Sequence, residues 1–310
     1  MNKTKYLLLG FILLISLSFR LIINYFIPIN QQVNLPVIFM GLANLILIFY
    51  IIKRLANYKV GLVAALLYAV SPWTAYLEVA ANPYIILLTF LLALYTGTKM
   101  LNISKNFFLM LIILIITIFI YKFNQITIFS DVGLINAVNS FRGEINQTIF
   151  AALGKIIENR YIYLSEHLIF NTLKQFTPAT YFTNQIRLLG FSNVSPIYLG
   201  LIIPFLFGSI KLIKSISKSK ISEATTGFFL ILPSILSKDS PDLSRLVLVS
   251  PIIFFIISNG IYEFILNYKS KVIRFLFLLT MFMVVLQFFI TLSDIAIREP
   301  VRLQMFLGQK

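Results

Sequence analysis

Tyr6–Ile27 contains a single charged residue, Arg20, and is otherwise almost wholly apolar. About 20 such residues at ~1.5 Å rise cross the hydrocarbon of a bilayer, and a helix satisfies its own backbone there. Similar runs recur at Leu35–Ile52, Gly61–Val79, Tyr84–Leu101, Phe107–Phe123, Pro196–Ile213, Thr226–Leu236, Leu246–Leu266 and Val272–Leu292. The pattern predicts about nine spans. Thr226–Leu236 is short and contains Pro233, which a membrane helix tolerates if a neighbour satisfies the freed carbonyl. With 59% hydrophobic and 12% charged residues and a mean hydropathy of +0.90, the chain is too apolar for a water-soluble core to absorb. The start, MNKTKYLLLG, has a basic flank, but RLIINYF follows the apolar stretch in place of a small-residue cleavage site. It is read as an uncleaved first span. The expected fold is all-α: a polytopic membrane bundle with a helical extracytoplasmic loop.

Basic residues set the expected orientation. With Lys3 and Lys5 inside, the loops returning to that side carry Lys53, Arg54 and Lys59; Lys99 and Lys105; Lys211, Lys214, Lys218 and Lys220; and Lys269, Lys271 and Arg274. The short loops on the other side are nearly bare, so the N-terminus is expected in the cytoplasm and the C-terminus outside. The net charge of +15 then belongs beside anionic lipid rather than nucleic acid. The absence of cysteine excludes disulfides, thiolate metal sites and a cysteine nucleophile. The expected division is 1–123 as N-terminal spans, 124–195 as an extracytoplasmic helical loop, 196–292 as C-terminal spans and 293–310 as an outer tail.

The long outer segment has helical periodicity. Leu134, Val138, Phe141, Ile145, Ile149, Leu153 and Ile156 recur at spacings of three or four, opposite Asn139, Arg142, Glu144, Asn146 and Lys155. Such a helix either lies in the membrane interface or caps the bundle. No phosphate-cradling glycine loop, zinc-protease motif, nucleophile elbow or internal repeat is present.

The stretch KRLANYKVGLVAALLYAVSPWTAYLEVAANPYIILLTFLLAL resembles the GT-C class of integral-membrane glycosyltransferases, in particular its bacterial protein-mannosyltransferase-like and lipopolysaccharide-sugar-transferase-like members. QFTPATYFTN, SPIYLGLIIPFLFGSIKLI and DLSRLVLVSPIIFFIISNGIYEFI resemble the later parts of that branch, in the same order. The resemblance implies transfer of a sugar from a polyprenyl-phosphate carrier on the extracytoplasmic face, with the carrier phosphate held by cations at the interface. It also implies a carboxylate base in the first outer loop. IPINQQVNLP stands there instead, with no Asp or Glu, and the arginine usual after SPW is missing from SPWTAYLEVAAN.

Other carboxylates are therefore candidates for the base. Asp131 and Glu144 flank the outer helix, although Asp131 equally suits a helix N-cap. Glu78 sits at the expected outer end of the third span, where a carboxylate is either functional or snorkels. Arg245 suits a carrier phosphate through its planar fork, or an ion pair with Asp242. Arg20 has the same two readings, as partner of an anion or as a snorkelling cation. Glu263 is expected to pair with Lys269 or Lys271. His167 carries no expected chemistry, and Trp73, Tyr161, Tyr163, Tyr181 and Tyr198 read as interfacial belt aromatics. No cofactor is predicted, and the sequence leaves a divalent metal open. The expected partners are membrane lipid, a polyprenyl-phosphate-linked sugar and envelope-assembly proteins. The alternative function is an inactive membrane partner of a glycan-assembly complex. A transporter fits less well, without inverted repeats or many intramembrane charges.

Overall fold

The structure is a computed structural model that describes residues 2–26, 35–100, 111–116, 118, 132–145, 159–183, 195–214, 229–238 and 240–298. All regular elements among these are helical. In chain order they are α1 (Asn2–Phe26), α2 (Leu35–Leu55), α3 (Tyr58–Val70), α4 (Pro72–Val79), α5 (Pro83–Met100), α6 (Val132–Ile145), α7 (Arg160–Phe176), α8 (Pro178–Phe182), α9 (Ile202–Lys214), α10 (Leu243–Leu246), α11 (Ser250–Leu266) and α12 (Lys271–Ser293). Among the described residues five helices are long and apolar enough to cross a membrane, or six if the bent pair α3–α4 counts as one span, so the chain is an integral membrane protein. The fifth expected run lies largely outside the described residues, and of the seventh residues 229–235 are helical. The sixth is shorter than expected: a 3₁₀ turn at Leu199–Leu201 precedes α9.

The expected third span, Gly61–Val79, is broken. Asn57 caps α3 by accepting from the Val60 N–H at 3.0 Å, and Ser71 ends the helix in an extended conformation. Pro72 then restarts the chain as α4, bent 53° from α3. Proline cannot supply the N–H that would continue the ladder, and a free carbonyl inside a bilayer is costly. Three side chains satisfy the freed end. The Tyr68 carbonyl accepts from Thr74 Oγ1 at 3.0 Å, Ala69 from Arg20 Nη1 at 3.1 Å, and Val70 from the Tyr198 hydroxyl at 2.9 Å. The break is thus secured by α1, α4 and the segment entering α9.

α4 ends in a Schellman turn, with Ala81 N–H donating to Glu78 O at 3.0 Å and Asn82 N–H to Leu77 O at 2.9 Å. The left-handed position this motif requires is held by Ala81, at φ 52°, where glycine is the usual occupant. Ala81→Gly is expected to stabilise the protein by about 0.5–1 kcal/mol, seen as a raised unfolding midpoint in detergent. An unchanged or lowered midpoint would contradict the strain at this turn.

α9 and α11 cross at contact distance. A Cβ on Gly208 would stand 1.9 Å from Ile256 O, and one on Gly260 would stand 1.8 Å from Pro204 O. Small residues let membrane helices approach this closely. Gly260→Ala forces the backbones apart, and a loss of about 3 kcal/mol is expected in the same unfolding measurement. α12 presents Phe275, Phe282 and Phe289 outward at successive heptad positions, 61–65% exposed, as a lipid-facing surface.

α7 is amphipathic in the inverted sense. Asn171 and Gln175 are buried against the bundle, while Ile169, Phe170, Leu173 and Phe176 point outward, 59–61% exposed. In water the apolar row would turn inward. The observed arrangement suits a helix whose outer solvent is the lipid interface. In α6, Val138 is buried and Phe141 stacks on Tyr163 of α7 at 6.1 Å; the rest of the expected stripe, Ile149 to Ile156, lies outside the described residues.

Candidate functional site

Two polar groupings stand out among the described residues. The first is enclosed by α1, α2, α3 and α4. Arg20 and Glu78, both 0% exposed, form an ion pair through Nε and Oε2, and Arg20 Nη2 donates to Glu78 Oε1 at 3.0 Å. The Tyr68 hydroxyl donates to the same Oε1 at 2.8 Å. Arg20 Nη1 also reaches Ser16 Oγ at 2.5 Å and Ser16 O at 3.0 Å. The carboxylate faces three donors and the guanidinium has an acceptor on each nitrogen. Such mutual satisfaction is what allows a charge pair to remain buried. On the α2 side the fit is tight: a Cβ on Gly41 would stand 1.8 Å from Glu78 Oε2.

Glu78 therefore does not lie at the water edge where its position near the end of an apolar run put it. The 53° bend carries α4 back into the bundle, and all eight α4 residues are buried. Arg20 does not snorkel either; it holds both the Glu78 carboxylate and the Ala69 carbonyl.

The second grouping is a corner where α4, α5, α7 and the residues leading into α10 meet. Asp242 caps α10, Oδ1 accepting from the Ser244 N–H at 3.0 Å, and its Oδ2 lies 2.7 Å from Arg245 Nε. Arg245 Nη1 donates to Pro233 O at 3.2 Å, while Nη2 has no acceptor among the described residues. Arg245 is almost buried, its side chain 8% exposed, against 24% for Asp242. Tyr84, in the first turn of α5, stands close enough to interact electrostatically with both charges.

α7 braces the corner from outside. Asn171 Nδ2 donates to Ile235 O at 3.1 Å, and Gln175 Nε2 to Ser240 Oγ at 2.8 Å. Ser234 Oγ accepts from the Asp242 N–H at 3.0 Å. Below, the Trp73 indole donates to Leu243 O at 2.8 Å, and the Tyr181 hydroxyl donates to Gln175 O at 2.8 Å. Burial pushes the Tyr181 phenol well above its usual range, which keeps it a donor.

Trp73, Tyr181 and Tyr198 are thus not belt aromatics: all three are buried, each with its polar atom bonded to a carbonyl, because the bent α4 draws this region inside. Tyr161 is exposed and Tyr163 half-buried. Glu263 pairs with Lys211 on α9 and not with Lys269 or Lys271, because the close glycine crossing brings α9 alongside α11. Glu144 is exposed on α6, as is His167 on α7. Asp131 lies outside the described residues, as does the first outer loop, residues 27–34. The corner gathers Asn171, Gln175 and Tyr84, which sequence reasoning passed over; amides on an otherwise apolar face of α7 were the available signal. No group of three or more potential metal-ligating side chains occurs among the described residues.

Residues 9–157, just under half of the chain, match the family model described as dolichyl-phosphate-mannose-protein mannosyltransferase, so this stretch is similar to that family of membrane glycosyltransferases. No curated protein and no solved structure matches the chain.

Proposed function

We propose that the protein binds a polyprenyl-phosphate-linked sugar at the Arg245 corner and transfers the sugar on the extracytoplasmic face, with its N-terminus in the cytoplasm and its C-terminus outside. The observation supporting this reading, beside the family match, is a nearly buried arginine whose Nη2 has no acceptor among the described residues. Nε is ion-paired with Asp242 and Nη1 donates to Pro233 O, which leaves the outer nitrogen as the one we propose for an incoming oxyanion. The inverted face of α7 supports the depth. A helix with its aliphatic residues outward, bonded to the corner through Asn171 and Gln175, supports a headgroup-level position for Arg245. There a prenyl tail stays in hydrocarbon while its phosphate meets the cation.

The acceptor hydroxyl needs a base, and Asp131 and Glu144 on the outer segment are the carboxylates we propose for it. Glu78 is enclosed and fully engaged, so its role is to hold the bent span; Arg20 is its partner and not a donor ligand. The second reading, an inactive partner in glycan assembly, is favoured by one specific observation: residues 28–34 contain no Asp or Glu where the family places its base.

Native mass spectrometry of gently purified protein tests the first step. A co-purified polyprenyl phosphate that is lost in Arg245→Ala supports donor binding, and ordinary phospholipid alone refutes it. Turnover lost in Asp131→Asn or Glu144→Gln with carrier still bound supports transfer. Bound carrier without turnover for any donor leaves the partner reading standing.

A further inference from the structure

At the far end of the bundle, α2 and α5 enclose a cavity of about 180 Å³ whose polar lining is Tyr50, Arg54, Tyr95, Thr96 and Lys99. Tyr84, at the start of α5, is beside Arg245, and Lys99 lies about 22 Å further along the helix at ~1.5 Å per residue. The cavity is thus separate from the donor corner.

The cavity carries unbalanced positive charge. Neither Arg54 nor Lys99 pairs with a carboxylate among the described residues, and no acidic residue lines the space. The C-terminal ends of α2 and α5 favour cations, but each end supplies only about half an elementary charge. Lys99 Nζ sits over the Tyr95 ring at 5.6 Å, which fixes the ammonium without neutralising it.

The approach to the cavity is apolar. Phe39, Ile46 and Tyr50 form an outward row on α2, 40–61% exposed, that ends at the cavity wall. An acyl chain lying along this row would bring its headgroup to Arg54 and Lys99. The space is of the size that holds a small polar group such as a phosphate. Basic pockets between membrane helices take anionic headgroups in this way.

We propose that the cavity is a binding site for the phosphate headgroup of an anionic phospholipid in the leaflet opposite the donor corner. Arg54 and Lys99 hold the phosphate oxygens, the Tyr50 hydroxyl supplies a further donor, and the α2 row carries the chain. The phosphate chemistry is shared with the free anion; the apolar row is what selects the lipid.

The test uses the full chain in nanodiscs of phosphatidylcholine with phosphatidylglycerol as the minor component. The phosphatidylglycerol retained after detergent extraction is counted by native mass spectrometry. Arg54→Gln/Lys99→Gln is expected to retain at least about tenfold less than the parent chain, given two lost charge-assisted contacts. Lys269→Gln/Lys271→Gln removes the same charge elsewhere and is expected to retain the parent amount. Equal retention by all three proteins overturns the proposal, as does equal loss in both variants, which would make the effect one of net charge. A thermal-shift arm with inorganic phosphate separates the sources: stabilisation matching that by phosphatidylglycerol overturns the lipid as occupant. Trp73 fluorescence verifies that each variant is folded, since the chain's one tryptophan is buried far from the cavity.

Discussion

Glu78→Gln is expected to destabilise the protein by about 3–5 kcal/mol, because it leaves the Arg20 guanidinium buried without a counter-ion. Against a typical folding free energy of roughly 5–15 kcal/mol, that shift removes a large part of the folded population. Arg20→Met should cost a similar amount, by stranding the Glu78 carboxylate and freeing the Ala69 carbonyl. The double variant Arg20→Met/Glu78→Gln should be more stable than either single variant, since no unpaired charge is then buried. It should remain below the parent chain by about 1–3 kcal/mol, because the Ala69 carbonyl stays unsatisfied. Unfolding in detergent, followed by Trp73 emission, measures all four proteins. Single variants within about 1 kcal/mol of the parent would sink the idea that this pair holds the bent span. A catalytic Glu78 would behave differently: Glu78→Gln would then fold normally and lose only turnover.

Arg245→Ala should weaken carrier binding by about 10–150-fold, the equivalent of a charged hydrogen bond worth ~1.5–3 kcal/mol. Arg245→Lys should recover part of this, since it keeps the charge and loses the fork. Asp242→Asn supplies the sharper contrast. Asparagine caps helices about as well as aspartate, so α10 should persist. With the neighbouring negative charge removed, Arg245 should hold a phosphate more tightly. If Arg245 served only to pair with Asp242, both substitutions would lower stability and neither would change carrier affinity. Titration of a polyprenyl phosphate against Trp73 fluorescence reads the result, because the indole donates to Leu243, two residues before Arg245.

These residues were legible in the sequence to different degrees. Arg245 could be named from its place beside Asp242 at the start of an apolar run, and the two are paired in the structure. Its bond to Pro233 could not, because that depends on where a distant carbonyl is presented. Glu78 and Arg20 could each be noticed as charges in apolar surroundings, but 58 positions separate them, and hydropathy says nothing about which distant charges meet. Asn171 and Gln175 were hidden because the helix bearing them is inverted, with amides inward and aliphatic residues outward. A reading that assumes water outside assigns such faces the wrong way round.

The solvent of this protein is written in its hydropathy. Runs such as Tyr6–Ile27 and Leu35–Ile52 can satisfy their backbones in a bilayer only as helices, so the class of fold follows from composition and run length. The order of the segments also carries the family likeness. The path of the third run, by contrast, was set in three dimensions. Continuous hydropathy through Gly61–Val79 describes an unbroken span, whereas Pro72 breaks it, and three donors, Arg20, Thr74 and Tyr198, make the break tolerable. Hydropathy is summed along the chain, but an unsatisfied carbonyl is settled by whichever side chain reaches it through space. That is why the charges that looked like surface features became the internal supports of the bundle.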